Sequence, residues 1–135
     1  MKAGTTAGLL AAGTLAALTL AGCSQERPAE RPAVAPAAQV TGPGRSCLSL
    51  TQIRSSQVRD DWTIDFMGPG DQVWRNTLPN RCPGLRTENA FTYSTSLSQL
   101  CDTEIIYVLR TIAGRPERGA GCGLGAFVPV KLEKE

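Results

Sequence analysis

The clearest pattern of apolar and polar positions lies at residues 57–66. Val58, Trp62, Ile64 and Phe66 fall on one side of an extended chain, with Gln57, Arg59, Asp61, Thr63 and Asp65 on the other. This is the period-two alternation of a half-buried strand, broken by Asp60 on the apolar side. Gly68-Pro69-Gly70-Asp71 has the composition of a turn, and residues 72–78 follow as a second strand, so 57–78 predicts a β-hairpin. Pro79 and Pro83-Gly84 punctuate the loop that carries Cys82. Residues 91–95 alternate again, with Phe91 and Tyr93 on one side. Residues 103–110 hold the run Ile105-Ile106-Tyr107-Val108-Leu109 and predict the central strand. Residues 113–123 read as a glycine-rich connection, and 124–131 as a closing strand in which Pro129 marks an edge or a bulge. Residues 47–53 predict about one helical turn. Five closely spaced strands with turn-rich links predict a mainly β fold, a small antiparallel β-barrel or sandwich.

The chain before residue 47 has a different character. Lys2 is followed from residue 7 to 21 by Leu, Ala, Gly and Thr without a charge. About 15 apolar residues is the length of a secretory h-region and short of the roughly 20 that span a bilayer as a helix. Residues 24–46 are rich in Pro, Ala and charge, with Glu-Arg-Pro-Ala at both 26–29 and 30–33. They lack apolar periodicity, so the expectation is an unfolded tether, extending to about 70 Å in polyproline geometry. Gly42-Pro43-Gly44 breaks structure before Cys47. The expected organisation is a signal peptide at 1–22, a tether at 23–46 and one small domain at 47–135.

The apolar run ends in Leu20-Ala21-Gly22-Cys23, which resembles the lipobox of bacterial lipoproteins. An ordinary signal peptide would leave Cys23 a plain thiol; the small pair abutting a cysteine, with Leu20 before it, favours lipidation. The resemblance implies a diacylglyceryl thioether on Cys23 and a further acyl chain on its amine, palmitate among the usual acyl groups. One chain anchors only marginally, two or three lastingly. Ser24 stands where an inner-membrane retention signal would place Asp. The expected address is the periplasmic face of the outer membrane.

Composition narrows the picture once the leader is set aside. The 135-residue chain carries a formal charge of +2. From Cys47 onward ten basic residues balance ten acidic ones, so the domain lacks the electrostatic footprint of a nucleic-acid binder. Four cysteines remain after Cys23: Cys47, Cys82, Cys101 and Cys122. An even number in a small exported domain reads as two disulfides; no C-x-x-C pair supports zinc. A hairpin of 103–109 with 124–130 would put Cys101 and Cys122 at opposite ends, against their pairing. The choice between the other two connectivities stays open.

The inventory of reactive groups is short. The absence of histidine removes Ser-His-Asp and Cys-His systems and the common His-based metal sites. Asp60, Asp61 and Asp65 are the candidate paired carboxylates. Adjacent strand residues point to opposite faces, which separates Asp60 from Asp61. Asp61 and Asp65 would sit about 13 Å apart on one face, too far for a glycosidase pair. The expectation is that Asp61 and Asp65 face solvent and that Asp60 bonds an Arg or loop amides. Residues 75–81, Arg-Asn-Thr-Leu-Pro-Asn-Arg, concentrate hydrogen-bonding groups beside a cysteine. Arg75, Asn76, Asn80 and Arg81 are the candidate binding residues, for a carboxylate or glycan; the competing reading is a loop stitched together to satisfy its own backbone. Gly119, Gly121, Gly123 and Gly125 alternate around Cys122 but fit no nucleotide motif.

A wider resemblance is carried by Ile53-Arg54-Ser55, by Asp60-Asp61 with Thr63-Ile64 and Phe66, and by the run Arg75-Asn76-Thr77-Leu78-Pro79-Asn80-Arg81-Cys82-Pro83-Gly84-Leu85. Phe91, Tyr93, Thr95, Leu100-Cys101, and Cys122 with Leu124-Gly125, Phe127 and Pro129 continue it. Over nearly all of 47–130 the chain resembles a family of small proteobacterial envelope lipoproteins classed as a domain of unknown function. The resemblance implies an exported lipoprotein with four paired cysteines and supplies no catalytic residues. The expectation is therefore a non-catalytic, tethered interaction or structural module, without cofactor beyond the lipid on Cys23 and without nucleic acid as partner. The alternative is a small ligand-binding or inhibitor module recognising a peptide or glycan through residues 75–85.

Overall fold

The computed structural model describes residues 35–133. The leader, Cys23, the tether up to residue 34, Lys134 and Glu135 lie outside them. Ten strands are present among the described residues: β1 (Ala38–Val40), β2 (Cys47–Ser49), β3 (Ser55–Val58), β4 (Thr63–Met67), β5 (Val73–Thr77), β6 (Phe91–Tyr93), β7 (Gln99–Cys101), β8 (Ile105–Ile112), β9 (Arg115–Gly123) and β10 (Phe127–Leu132). Helix among the described residues is a 3-10 turn, Leu50–Gln52, and the single turn α1 (Leu85–Glu88).

The strands form three antiparallel sheets that pack like a sandwich and do not close into a barrel. A five-stranded sheet has the order β1-β10-β5-β4-β3; β6-β8-β9 form the second and β2-β7 the third. Phe66 on β4 explains how they meet. Its ring stands edge-on to Phe127 of its own sheet at 5.4 Å and to Phe91 of the three-stranded sheet at 6.2 Å. Leu48, Ile64, Leu78, Leu85, Leu100, Ile106 and Val108 close around these rings, each at most 1 % exposed. Full burial of each such side chain contributes about 1.5–3 kcal/mol. The disulfides brace the strands: Cys47–Cys101 joins the paired strands β2 and β7 within their sheet, and Cys82–Cys122 ties the loop after β5 to β9.

Five expectations change here. The single strand over 57–66 is two strands, β3 and β4, joined by a tight turn. The Arg59 N–H donates to the Thr63 carbonyl at 2.9 Å, and Asp60 Oδ1 accepts from the Trp62 N–H at 2.8 Å. The Asp side chain closing over its own backbone turns the chain where the alternation suggested continuity. The predicted 57–78 hairpin thus becomes the meander β3-β4-β5.

Residues 113–123, expected as a connection, are largely strand β9, paired with β8 in register from Ile105↔Gly123 to Ile112↔Arg115 with a bulge between Tyr107 and Leu109. The hairpin expected between 103–109 and 124–130 does not form, because β10 pairs with β5 instead. Cys101 and Cys122 are indeed not partners.

Part of the expected tether is folded. β1 adds to the edge of β10, Ala38 opposite Leu132 and Val40 opposite Val130. Main-chain hydrogen bonding needs no apolar periodicity, so this Pro- and Ala-rich stretch gave no sign of it. Pro129 sits where that pairing breaks. Thr41 N–H reaches the Pro129 carbonyl at 2.9 Å, and the next contact is Arg45 N–H to the Phe127 carbonyl at 2.9 Å. Gly42-Pro43-Gly44 bulge out between them, opposite the residue that has no N–H to offer.

Candidate functional site

The polar residues singled out in the sequence gather at the five-stranded sheet and the loop after it, in three separate networks. The first surrounds Asp65. β4 places its carboxylate opposite Arg75 on β5, and Arg59, the residue after β3, joins Arg75 over it. Arg75 Nε donates to Oδ1 at 2.8 Å and Arg75 Nη2 to Oδ2 at 3.0 Å, while Arg59 Nε donates to Oδ2 at 2.8 Å. Asp65 is 0 % exposed, so the expectation that it faces solvent is corrected. Its face of the sheet is covered by the two guanidinium groups, which neutralise and hydrogen-bond it as burial requires. Arg75 Nη1 also donates to the Pro36 carbonyl at 2.8 Å, tying the incoming chain to the same network.

The second network is built on Asp61. Oδ2 accepts from Arg81 Nη2 at 2.8 Å and Nε at 3.1 Å, Oδ1 accepts from the Arg86 N–H at 2.9 Å, and the Asp61 carbonyl accepts from the Cys82 N–H at 2.8 Å. One residue thereby fastens the loop that carries Cys82 and the start of α1. Gly84, at φ 83°, makes the left-handed turn into that helix, a conformation glycine enters without steric cost.

Asn76 makes the third. It is buried on β5; its Nδ2 donates to the Gly125 carbonyl at 2.6 Å and its Oδ1 accepts from the Gly125 N–H at 2.8 Å. The side-chain amide imitates a strand partner for Gly125. A Cβ on Gly125 would overlap the Thr77 carbonyl oxygen, which explains the glycine there by close approach. The alternating glycines around Cys122 therefore belong to strand β9 and to this junction, with no loop to cradle a phosphate.

Of the four candidate binding residues, the structure engages two in bonds within the fold. Arg75 and Asn76 are occupied by Asp65, Pro36 and Gly125. Asn80 is exposed, and Arg81 leaves 63 % of its side chain exposed while paired with Asp61. Asp60, Asp61 and Asp65 each serve a different network and do not converge on a common space. Every buried side-chain nitrogen and oxygen among the described residues has a partner. The four cysteines are consumed in disulfides, and no group of three or more Cys, Asp or Glu among the described residues could hold a metal.

Two open depressions stand out among the described residues, one of them lined in part by Arg59 of the Asp65 network. One of about 450 Å³ is lined by Met67, Val73, Gln72 and Leu132 at the β4–β5 turn, and one of about 290 Å³ borders β3 near Arg59 and Asn89. Sequence reasoning missed Arg59 as the second guanidinium on Asp65, and Arg118, whose guanidinium lies 5.1 Å from the Tyr107 ring centroid. Both depend on strand registers that the sequence does not print. No helix among the described residues is long and apolar enough to cross a membrane.

No family model matches the chain. No curated protein and no solved structure matches it either.

Proposed function

We propose that this chain is a lipid-anchored protein of the bacterial envelope, whose disulfide-braced β domain works without catalysis as a tethered interaction or structural module. The observation that carries the reading is Cys23 directly after Leu20-Ala21-Gly22, at the end of an uncharged apolar run. Two disulfides suit an exported domain, since oxidising compartments let them persist. The non-catalytic part rests on the three networks. Asp60, Asp61 and Asp65, with Arg59, Arg75 and Arg81, are engaged in holding strands and loops, and histidine is absent from the chain. Ser24 after the anchor supports the outer-membrane address. Comparing wild type with Cys23→Ser in membrane fractions tests the anchor: wild type should sediment with membranes, and the variant should be released in soluble form. Equal release of both would remove the anchor.

A second reading is favoured by one observation, the exposed guanidinium of Arg81 held in place by Asp61 beside exposed Asn80. It is a module that recognises a peptide carboxylate or a glycan through these two residues. Loss of binding in Arg81→Ala at unchanged stability would favour it.

A further inference from the structure

β10 has one face of its hydrogen-bonding edge occupied by β5 and the other by β1. The two partners are held very differently. β5 is built into the core, whereas β1 brings three residues, of which Gln39 is exposed and Val40 is 68 % exposed. What holds β1 is main-chain pairing with β10, together with the hydrogen bond from Arg75 to the Pro36 carbonyl. Apolar side chains contribute little.

The chain just after β1 is built to separate it from the domain. Gly42-Pro43-Gly44 leaves the ladder opposite Pro129, and Gly42 passes so close that a Cβ would lie 3.3 Å from Pro129 Cγ. Beyond this break the chain is rooted. Arg45 exchanges two backbone hydrogen bonds with Phe127 at 2.8 and 2.9 Å, and Cys47 is bridged to Cys101. Residues 35–41 can therefore leave while Arg45 and Cys47 keep their own bonds. Departure would bare the outer edge of residues 128–132, which includes Val128 and Val130. An exposed edge of that kind pairs readily with another strand.

We propose that the outer edge of β10 is a strand-acceptor site, and that its alternative occupant is β1 of a second copy of this chain. A second copy supplies identical residues, so the β1–β10 register, the Thr41–Pro129 bond and the Arg75–Pro36 bond are all remade in the exchange. Only the entropy of association opposes it, which makes strand exchange a low-cost route to a dimer. Gly42-Pro43-Gly44 is the hinge. Where copies are held on one membrane, which rests on the lipid-anchor reading, their effective concentration rises and exchange is favoured further.

The test uses the full-length chain in the envelope. Ala38 and Leu132 are direct partners across the ladder, at a position of the same non-hydrogen-bonded kind as Cys47 and Cys101. One copy carries Ala38→Cys only, a second carries Leu132→Cys only, and the two are co-expressed. Strand exchange predicts a covalent species of twice the monomer mass, mapped to a peptide joining positions 38 and 132 and absent when either variant is expressed alone. The double variant in a single chain shows that both positions tolerate substitution, by linking within a monomer. The pair of single variants is repeated on a Cys23→Ser background. A link in both backgrounds supports exchange independently of the anchor; a link only with Cys23 present supports exchange driven by surface concentration. No link between chains in either background, while the double variant closes within one chain, overturns the proposal. Capture of the Leu132→Cys chain by a different protein would assign the edge to a foreign strand and overturn it as well.

Discussion

Asp65 and Arg75 stand opposite each other on β4 and β5, and the guanidinium grips the carboxylate through Nε to Oδ1 at 2.8 Å and Nη2 to Oδ2 at 3.0 Å. With Arg59 on the same carboxylate and Pro36 on the same guanidinium, this pair links β3, β4, β5 and the entry of the chain into the domain. It is a structural centre assembled from residues that, in isolation, look like an acid and a ligand-binding base.

Arg75→Ala should therefore cost about 3 kcal/mol, the low end of what removing one partner of a buried pair costs, because Arg59 still bonds Asp65. Urea unfolding reads this directly. A variant with wild-type stability would show that the pair is not structural and would restore Arg75 to the binding candidates.

Asn76→Ala leaves the Gly125 N–H and carbonyl without their partner. Each unsatisfied buried group costs about 1–3 kcal/mol, so a loss of at least about 2 kcal/mol is expected. Gly125→Ala should destabilise too, since its Cβ has no room beside Thr77. Thermal unfolding of the two single variants and the double variant measures both losses and their coupling, which is expected to be less than additive.

Peptide mapping without reduction should recover Cys47 joined to Cys101 and Cys82 joined to Cys122. The bridges enclose sequence separations of 54 and 40 residues, similar loops, so removing either pair as Cys→Ala should cost about 2–4 kcal/mol. A peptide joining Cys47 to Cys82 would contradict the layer arrangement.

Arg81→Ala should behave unlike Arg75→Ala. Its pair with Asp61 is largely exposed on the arginine side, and such pairs contribute at most about 1 kcal/mol. The melting temperature should therefore hardly move. A ligand found for the domain and lost in this variant would favour the recognition reading over the structural one.

The mainly β class, the turn at Gly68-Pro69-Gly70-Asp71, the central position of the 105–109 run and the exclusion of a Cys101–Cys122 bridge were all legible in the sequence. The last came from a hairpin that does not exist, so the conclusion outlived its premise. The losses have physical causes. Arg59-Asp60-Asp61-Trp62 kept the parity of a strand while Asp60 turned the chain. β9 contains Pro116 and three glycines, a poor strand by propensity, yet it pairs with a strongly apolar β8, and Tyr107 packs over Gly121. β1 forms through backbone bonds that any sequence can make. Asp65 looked solvent-facing because burial of a carboxylate depends on where arginines of other strands arrive. Asn76 and Arg75 carried the right chemistry for recognition, and only the register showed them engaged within the fold.

The most direct test of the account is the intact mass of the mature N-terminal peptide from membranes. The account predicts a peptide beginning at Cys23, with a diacylglyceryl group and a further acyl chain on that residue. A mature chain beginning elsewhere, or an unmodified Cys23, would contradict it.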